Sequence, residues 1–256
     1  EAGARTPETA RSDGRCGSWH PPRRAVGSGA WCQTRSVQFR LHDIAAATDG
    51  TVHGADPADA PVVAGTAIDS RGLAGGELFV PLVAARDGHD FIDGAMAAGA
   101  AAHLTARAPG PYPCVVVADP MAAFTALGVA ARDRLPDAVI GITGSVGKTS
   151  VKDLLAAALA RGFRTAASAK SFNNEIGVPL TLTNAPTDTE VVVQEMGARG
   201  VGHIAELCAI ARPTGAIVTR VAEVHTSEFA SLADVARGKG EVVEAVPASG
   251  CVVLNA

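Results

Sequence analysis

The sequence predicts an α/β protein in two parts: a small N-terminal α/β unit, then a larger unit built on a mainly parallel sheet around a phosphate loop. Three observations carry this prediction. From residue 138 onward, short Val- and Ile-rich runs alternate with helix-length segments, which is the pattern of βαβ units. A glycine-rich turn, Gly144–Gly147, lies between one such apolar run and the start of a helix. Upstream, shorter apolar runs separated by glycine-rich turns describe a second compact unit.

Residues 1–36 are rich in Arg, Gly, Ser and Pro, with Pro21-Pro22-Arg23-Arg24 at their centre, and show neither helical nor strand period. They read as a disordered, non-native extension, with the natural start expected near Val37. Residues 37–119 read as the first domain. Leu41–Ala47 is expected as a helix, Val62–Ile68 and Leu78–Val83 as strands, Phe91–Ala100 as a helix and Cys114–Ala118 as a buried strand. Residues 120–137 read as a linker, with Pro120–Arg134 an Ala-rich helix. Residues 138–256 read as the second domain. Its strands are expected at Ala138–Ile142, Glu190–Gln194, Ala216–Thr219 and Cys251–Leu254, and its helices at Lys148–Arg161, His203–Ala211 and Ala233–Val246. The apolar run that follows Gly250 places the last residues inside this domain, so it reads as truncated.

Composition narrows the class. Hydrophobic residues are 47% of the 256, enough for a sizeable core, while a net charge of −4 offers no electrostatic footprint for nucleic acid. Cys16, Cys32, Cys114, Cys208 and Cys251 are odd in number and show no metal spacing, which suits free thiols in the cytoplasm. No apolar run approaches the roughly 20 residues that span a bilayer. The expected protein is a cytoplasmic monomer that contacts neither membrane nor nucleic acid.

The chemistry concentrates in Gly141-Ile142-Thr143-Gly144-Ser145-Val146-Gly147-Lys148-Thr149-Ser150. A turn of this kind points successive backbone N–H groups at phosphate oxygens, and the following helix adds positive potential at its N-terminus. Lys148 can reach the β- and γ-phosphates of ATP, and the Thr149 hydroxyl can ligate Mg²⁺. A carboxylate at the end of a neighbouring strand is needed to hold the metal, and Glu195, after Val191–Gln194, is so placed. The generic loop wants Gly five places before Gly147; that position is Ile142, and the nearest glycine is Gly141.

Gly141 and Thr143 at those positions resemble the ATP loop of the Mur ligases, which build the peptide stem of peptidoglycan. Further segments are similar to the branch of that family that adds D-alanyl-D-alanine. They are Ser171–Leu182 with its Asn173-Asn174 pair, Glu195-Met196-Gly197, and Val235–Glu241 around Lys239. Ile68-Asp69-Ser70-Arg71 and Asp87-Gly88-His89-Asp90-Phe91 resemble the family's UDP-sugar segments. The resemblance runs from about Val37 to the last residue, which is roughly the first two of the family's three domains, the second of them incomplete.

The resemblance implies an ATP-dependent ligase that joins UDP-N-acetylmuramoyl-tripeptide to D-alanyl-D-alanine through an acyl phosphate, with ATP and Mg²⁺. It implies nucleotide binding by Gly141, Thr143, Gly144, Ser145, Val146, Gly147, Lys148, Thr149 and Ser150. Metal binding falls to Thr149, Glu195, His225 and a carbamylated Lys239, and catalysis to Lys148, Lys239 and His225. Substrate contacts fall to Ser70, Arg71, Gly88, His89, Asn173 and Asn174. Three positions depart from the family pattern: Arg220 replaces Asn, Ala222 replaces Gly and Thr226 replaces Leu. The alternatives are the ligase for the third stem residue, a fragment that only binds nucleotide or UDP-sugar, and a P-loop switch or kinase. The UDP-sugar segments argue against the last.

Overall fold

The computed structural model describes residues 36–56, 60–222 and 229–255, so the predicted extension up to residue 35 and the predicted ligand His225 lie outside the described residues. The first part contains β1 (Gln38–Arg40), α1 (Leu41–Thr48), β2 (Thr51–His53), β3 (Val62–Ala64), β4 (Thr66–Ala67), β5 (Leu78–Phe79), α2 (Ile92–Ala97), β6 (Ala102–Thr105) and β7 (Cys114–Val116). Then come α3 (Pro120–Arg132), β8 (Val139–Thr143), α4 (Lys148–Leu159), β9 (Thr165–Ala167), α5 (Gly177–Asn184), β10 (Val191–Glu195), α6 (His203–Ala211), β11 (Gly215–Val218), α7 (Leu232–Glu244) and β12 (Cys251–Leu254).

The first sheet has the order β2-β7-β6-β5-β4, parallel except for the antiparallel β2–β7 pair. The second has the order β12-β11-β8-β10-β9 and is parallel throughout. From β8 the chain runs out to one side through β9 and β10, then crosses to β11 and β12 on the other. The carboxyl ends of β8, β10 and β11 therefore meet at one edge, where open α/β sheets place their ligands. Alternate residues of β8 serve opposite faces. Ile140 shares an apolar cleft with Leu155 and Leu159 of α4, whereas Gly141 faces Val242 of α7.

The expected fold class stands, with local differences. The predicted strand Val62–Ile68 is two short strands broken at Gly65, and the one at Leu78–Val83 closes after two residues. Five elements were not expected. Fully buried β6 shows no alternation, Ala-rich β9 is fixed only by pairing with β10, and β1 and β2 are three residues each. Helix α5 opens Gly-Val-Pro, which reads as a breaker; Pro179 sits in the first turn, where its missing N–H has no partner to lose.

Helix α3 joins the two parts by packing. Asp119 caps its start by accepting from the Met121 N–H at 2.8 Å. Ala123, Phe124, Leu127 and Ala131 are buried in one continuous core that takes in Phe39, Ile44 and Val115 on one side and Val139, Leu182 and Leu207 on the other. Near its end, buried Arg132 donates to the carbonyls of Ala211 (2.7 Å) and Pro136 (2.9 Å), and more distantly to those of Leu135, Asp137 and Arg212. One guanidinium thus ties α3, the lead into β8 and the end of α6. Arg132→Ala would strand those acceptors beside a new cavity and is expected to cost about 3 kcal/mol. A urea midpoint indistinguishable from wild type would refute that role.

Candidate functional site

The glycine-rich turn between β8 and α4 is held by the segment that follows β11. Thr219 Oγ1 donates to the Val146 carbonyl at 2.6 Å, and the Ser145 N–H donates to the Arg220 carbonyl at 2.6 Å. The Ser145 hydroxyl donates to the Ala222 carbonyl (2.9 Å) and accepts from the Ala222 N–H (3.0 Å). Gly147 has φ of 86°, and a Cβ on Gly144 would lie 2.0 Å from Thr219 Oγ1, so both positions need glycine. The departures at Arg220 and Ala222 therefore fall where backbone atoms make the contacts and the Arg220 side chain is exposed.

Gly141 is not in the turn. It pairs within β8 with Gln194 and Ala216, and a Cβ there would sit 3.0 Å from Val242 Cγ2 and 3.4 Å from Met196 Sδ. The space a side chain would need there is taken by α7 and Met196. Thr143 ends β8, fully buried, with no hydrogen-bond partner for its hydroxyl. Ser145, Val146, Gly147, Lys148, Thr149 and Ser150 form the turn and first helical turn as expected. Lys148 Nζ folds back to donate to the Gly144 carbonyl at 2.7 Å, and burial pushes its pKa down while the nearby Glu195 charge pulls it up.

Glu195, at the carboxyl end of β10, is 1% exposed. Its Oε1 accepts from Asn173 Nδ2 at 2.8 Å, while Oε2 is buried without a hydrogen-bond partner. Asn174 Oδ1 accepts from the Gly177 N–H at 3.0 Å and so closes the turn into α5. A cavity of about 290 Å³ is lined by Gly144, Ser145, Lys148, Asn173, Asn174 and Lys239, among others. Lys239 reaches it from α7, largely buried, with Nζ 5.9 Å from the centre of the Phe229 ring.

Some contributors were not expected from the sequence. Buried Glu241, two residues beyond Lys239, accepts from the Ala205 N–H at 2.9 Å and from the Gly202 N–H, capping α6 and fixing how α7 sits. At the rim, Glu175 pairs with Arg199 and lies 3.3 Å from His203 Nε2; burial opposes its charge, but the guanidinium holds its pKa below the usual value. Glu175, Arg199 and His203 all lie in or beside segments already singled out, so only their mutual pairing was hidden.

In the first part, Ser70 and Arg71 begin a single 3₁₀ turn, with Arg71 exposed and paired to Asp69 at 2.6 Å. Asp69 and Gly72 line a cavity of about 570 Å³ between the two parts, together with Thr66, Lys170, Phe172 and Thr181. Gly88 and His89 lie elsewhere, and none of these four predicted contacts lines the phosphate-loop cavity. The His89 ring is fully committed: Nδ1 donates to Asp87 at 2.6 Å and Nε2 accepts from the Ala106 N–H at 3.0 Å. It ties its loop to the end of β6 and has no polar atom left for a substrate. His89 and then Arg107 hold the Asp87 carboxylate near pKa 2, down from 3.8. The stabilisation is therefore complete above pH 3.8 and lost as pH falls toward 2. Exchange of the Ala106 amide should quicken across that window in wild type and not in Asp87→Asn.

Residues 142–256 match the Mur ligase middle domain family. The chain is 37% identical over 222 residues to UDP-N-acetylmuramoyl-tripeptide–D-alanyl-D-alanine ligase of Escherichia coli (strain K12), covering 86% of this chain and 48% of that one. With the ligase of the same name from Mycobacterium bovis it shares 41% over 249 residues, at the same coverages of 86% and 48%. The solved structure of MurF from Acinetobacter baumannii superposes with a TM-score of 0.75 at 27% identity, over 86% of this chain and 49% of that one. MurF ligase from Thermotoga maritima in complex with ADP gives 0.66 at 29% identity, over 74% and 45%. The chain spans about half the length of the curated relatives it matches. Among the described residues no helix is long and apolar enough to cross a membrane. The parallel sheet, the braced loop at its carboxyl edge and these likenesses agree: the chain belongs to the Mur ligase family.

Proposed function

We propose that the full-length protein is the ATP-dependent ligase that joins D-alanyl-D-alanine to UDP-N-acetylmuramoyl-tripeptide for peptidoglycan, working as a cytoplasmic monomer. In this reading residues 37–119 hold the UDP-sugar, 120–137 connect, and 138–256 carry the nucleotide site. The observation that carries it is the 290 Å³ cavity, which gathers residues of the phosphate loop, the Asn-Asn segment and the lysine motif around one space.

The roles follow from position. A carboxylate is a poor electrophile, so the γ-phosphoryl of ATP passes to the tripeptide carboxylate with ADP leaving. The amine of D-alanyl-D-alanine then attacks the acyl phosphate and phosphate leaves. Lys148 gives up its loop carbonyls for the phosphate oxygens, and the turn amides and α4 N-terminus hold the rest. The unpartnered buried oxygen of Glu195 suits a divalent cation, with the Thr149 hydroxyl as a second ligand. Bound Mg²⁺ would neutralise charge on the β- and γ-phosphates. Lys239 as a carbamate, and His225, would complete the metal's surroundings. Asn173 orients Glu195, and Asn174 shapes the adjoining wall.

A phosphate-release assay tests the proposal. The full-length protein should release phosphate only when both the tripeptide nucleotide and D-alanyl-D-alanine are supplied, and release independent of D-alanyl-D-alanine would refute it. These 256 residues alone, half a relative's length, should bind nucleotide without turnover.

A further inference from the structure

Lys152 sits on α4 one helical turn beyond Lys148 and is 2% exposed. A buried ammonium needs partners that justify its desolvation. Two of them are backbone carbonyls in the segment after β9: Ser168 at 2.7 Å and Lys170 at 2.8 Å. A third is Asp153, at 3.0 Å. The carbonyls belong to residues 168–174, which run as a strap from the end of β9 to the Asn-Asn pair. Lys170 within it has φ of 50°, a conformation a non-glycine residue keeps only where its surroundings fix it.

The strap is bound to Glu195 at both ends. Ser168 Oγ accepts from the Glu195 N–H at 3.1 Å, and the Ser168 N–H donates to the Val193 carbonyl at 3.1 Å. Asn173 donates from Nδ2 to Glu195 Oε1, and its carbonyl accepts from the Gly197 N–H at 2.7 Å. The strap also divides the two cavities. Ala169, Lys170 and Phe172 line the one between the parts, while Asn173 and Asn174 line the one at the phosphate loop.

We propose that Lys152 is a positioning residue: its ammonium clamps the strap to the helix that begins at the phosphate loop, and through the strap it fixes the Glu195 carboxylate and the wall shared by the two cavities. The inference rests on the nucleotide-site reading proposed above and adds to it a residue that touches neither nucleotide nor metal. Outer bonds of this kind control how well a metal ligand is presented.

The test titrates ADP into the 256-residue chain with and without Mg²⁺, for wild type, Lys152→Met, Lys152→Arg and Ser168→Ala, and follows amide exchange over residues 166–174. Lys152→Met should speed exchange of the strap and cut the Mg²⁺-dependent gain in ADP affinity about tenfold, with Mg²⁺-free affinity changed less than about twofold. Lys152→Arg should restore most of both. Ser168→Ala removes only the bond to the Glu195 amide and should reproduce the loss of the Mg²⁺ gain, so the inference stays testable if Lys152→Met fails to fold. A lowered melting temperature with strap exchange and Mg²⁺ gain unchanged would leave Lys152 a merely structural lysine and overturn the inference. Full Mg²⁺ gain in Ser168→Ala overturns it as well. Absence of ADP binding by wild type overturns the nucleotide-site reading itself, and this inference with it.

Discussion

Lys148→Ala should abolish amide formation by the full-length protein while leaving its fold intact. The two expectations have separate causes. Among the described residues the ammonium of Lys148 bonds to carbonyls of its own turn, Gly144 at 2.7 Å and Ser145 at 3.4 Å, and to no distant element. Burial penalises its charge, as the lowered pKa records. Removing it should change stability by less than about 1 kcal/mol. In the proposed reaction the same charge would meet the negative charge developing on the phosphoryl oxygens. Losing such a contact costs on the order of a thousandfold in kcat, about 4 kcal/mol. The pH dependence has a fixed sign. Because the folded pKa lies below the ordinary 10.5, the penalty is present at neutral pH and relieved as pH rises toward 10.5. Wild type should therefore gain stability relative to Lys148→Ala in that alkaline window. Turnover by the variant within about tenfold of wild type would remove Lys148 from the phosphate-binding role.

How much of this was legible in the sequence depends on what fixes each element. Helix α6 and strand β12 fall on the residues expected, because their boundaries are marked locally by Gly202 before the helix and by Gly250 before the strand. The central strands were legible because burial on both faces forces continuous apolar runs. The first part was less so, because its strands are two to four residues long and owe their state to neighbours: β4 exists through pairing with β5. In the second part β9 was missed for the same reason, since it exists through pairing with β10. The site divides in the same way. The phosphate-loop motif placed Lys148, the family resemblance placed Asn173, Asn174 and Lys239, and the fold brings them to one cavity. Partners could not be read. The packing of Gly141 against Val242 and the bonds that His89 makes through both ring nitrogens to loop and strand were not legible in the residue types. A motif records that a residue type is required, and only the packing says whether ligand or core requires it.

Glu195 supplies the second large prediction, because removing its charge and removing its support should separate. The carboxylate is buried, bonded to Asn173 through one oxygen and unpartnered at the other. Glu195→Gln keeps the volume and an acceptor for Asn173, and it removes a buried charge with an orphaned oxygen. Stability should hold or rise, while Mg²⁺-dependent turnover of the full-length protein should fall at least about a hundredfold. Asn173→Ala keeps the charge and strips its one side-chain donor, leaving both oxygens to find the cation unaided. Stability should fall by about 1–3 kcal/mol. Turnover should fall about ten- to a hundredfold, the usual cost of losing an outer-shell partner, and higher Mg²⁺ should recover part of it. Added Mg²⁺ should recover nothing in Glu195→Gln. The double variant should then be no slower than Glu195→Gln alone, since Asn173 acts on turnover only through the carboxylate it orients. A Mg²⁺ titration of phosphate release on the three variants decides the matter. Additive losses would mean that Asn173 meets the substrate itself, and equal Mg²⁺ rescue of both single variants would mean that Glu195 is not a ligand of the metal.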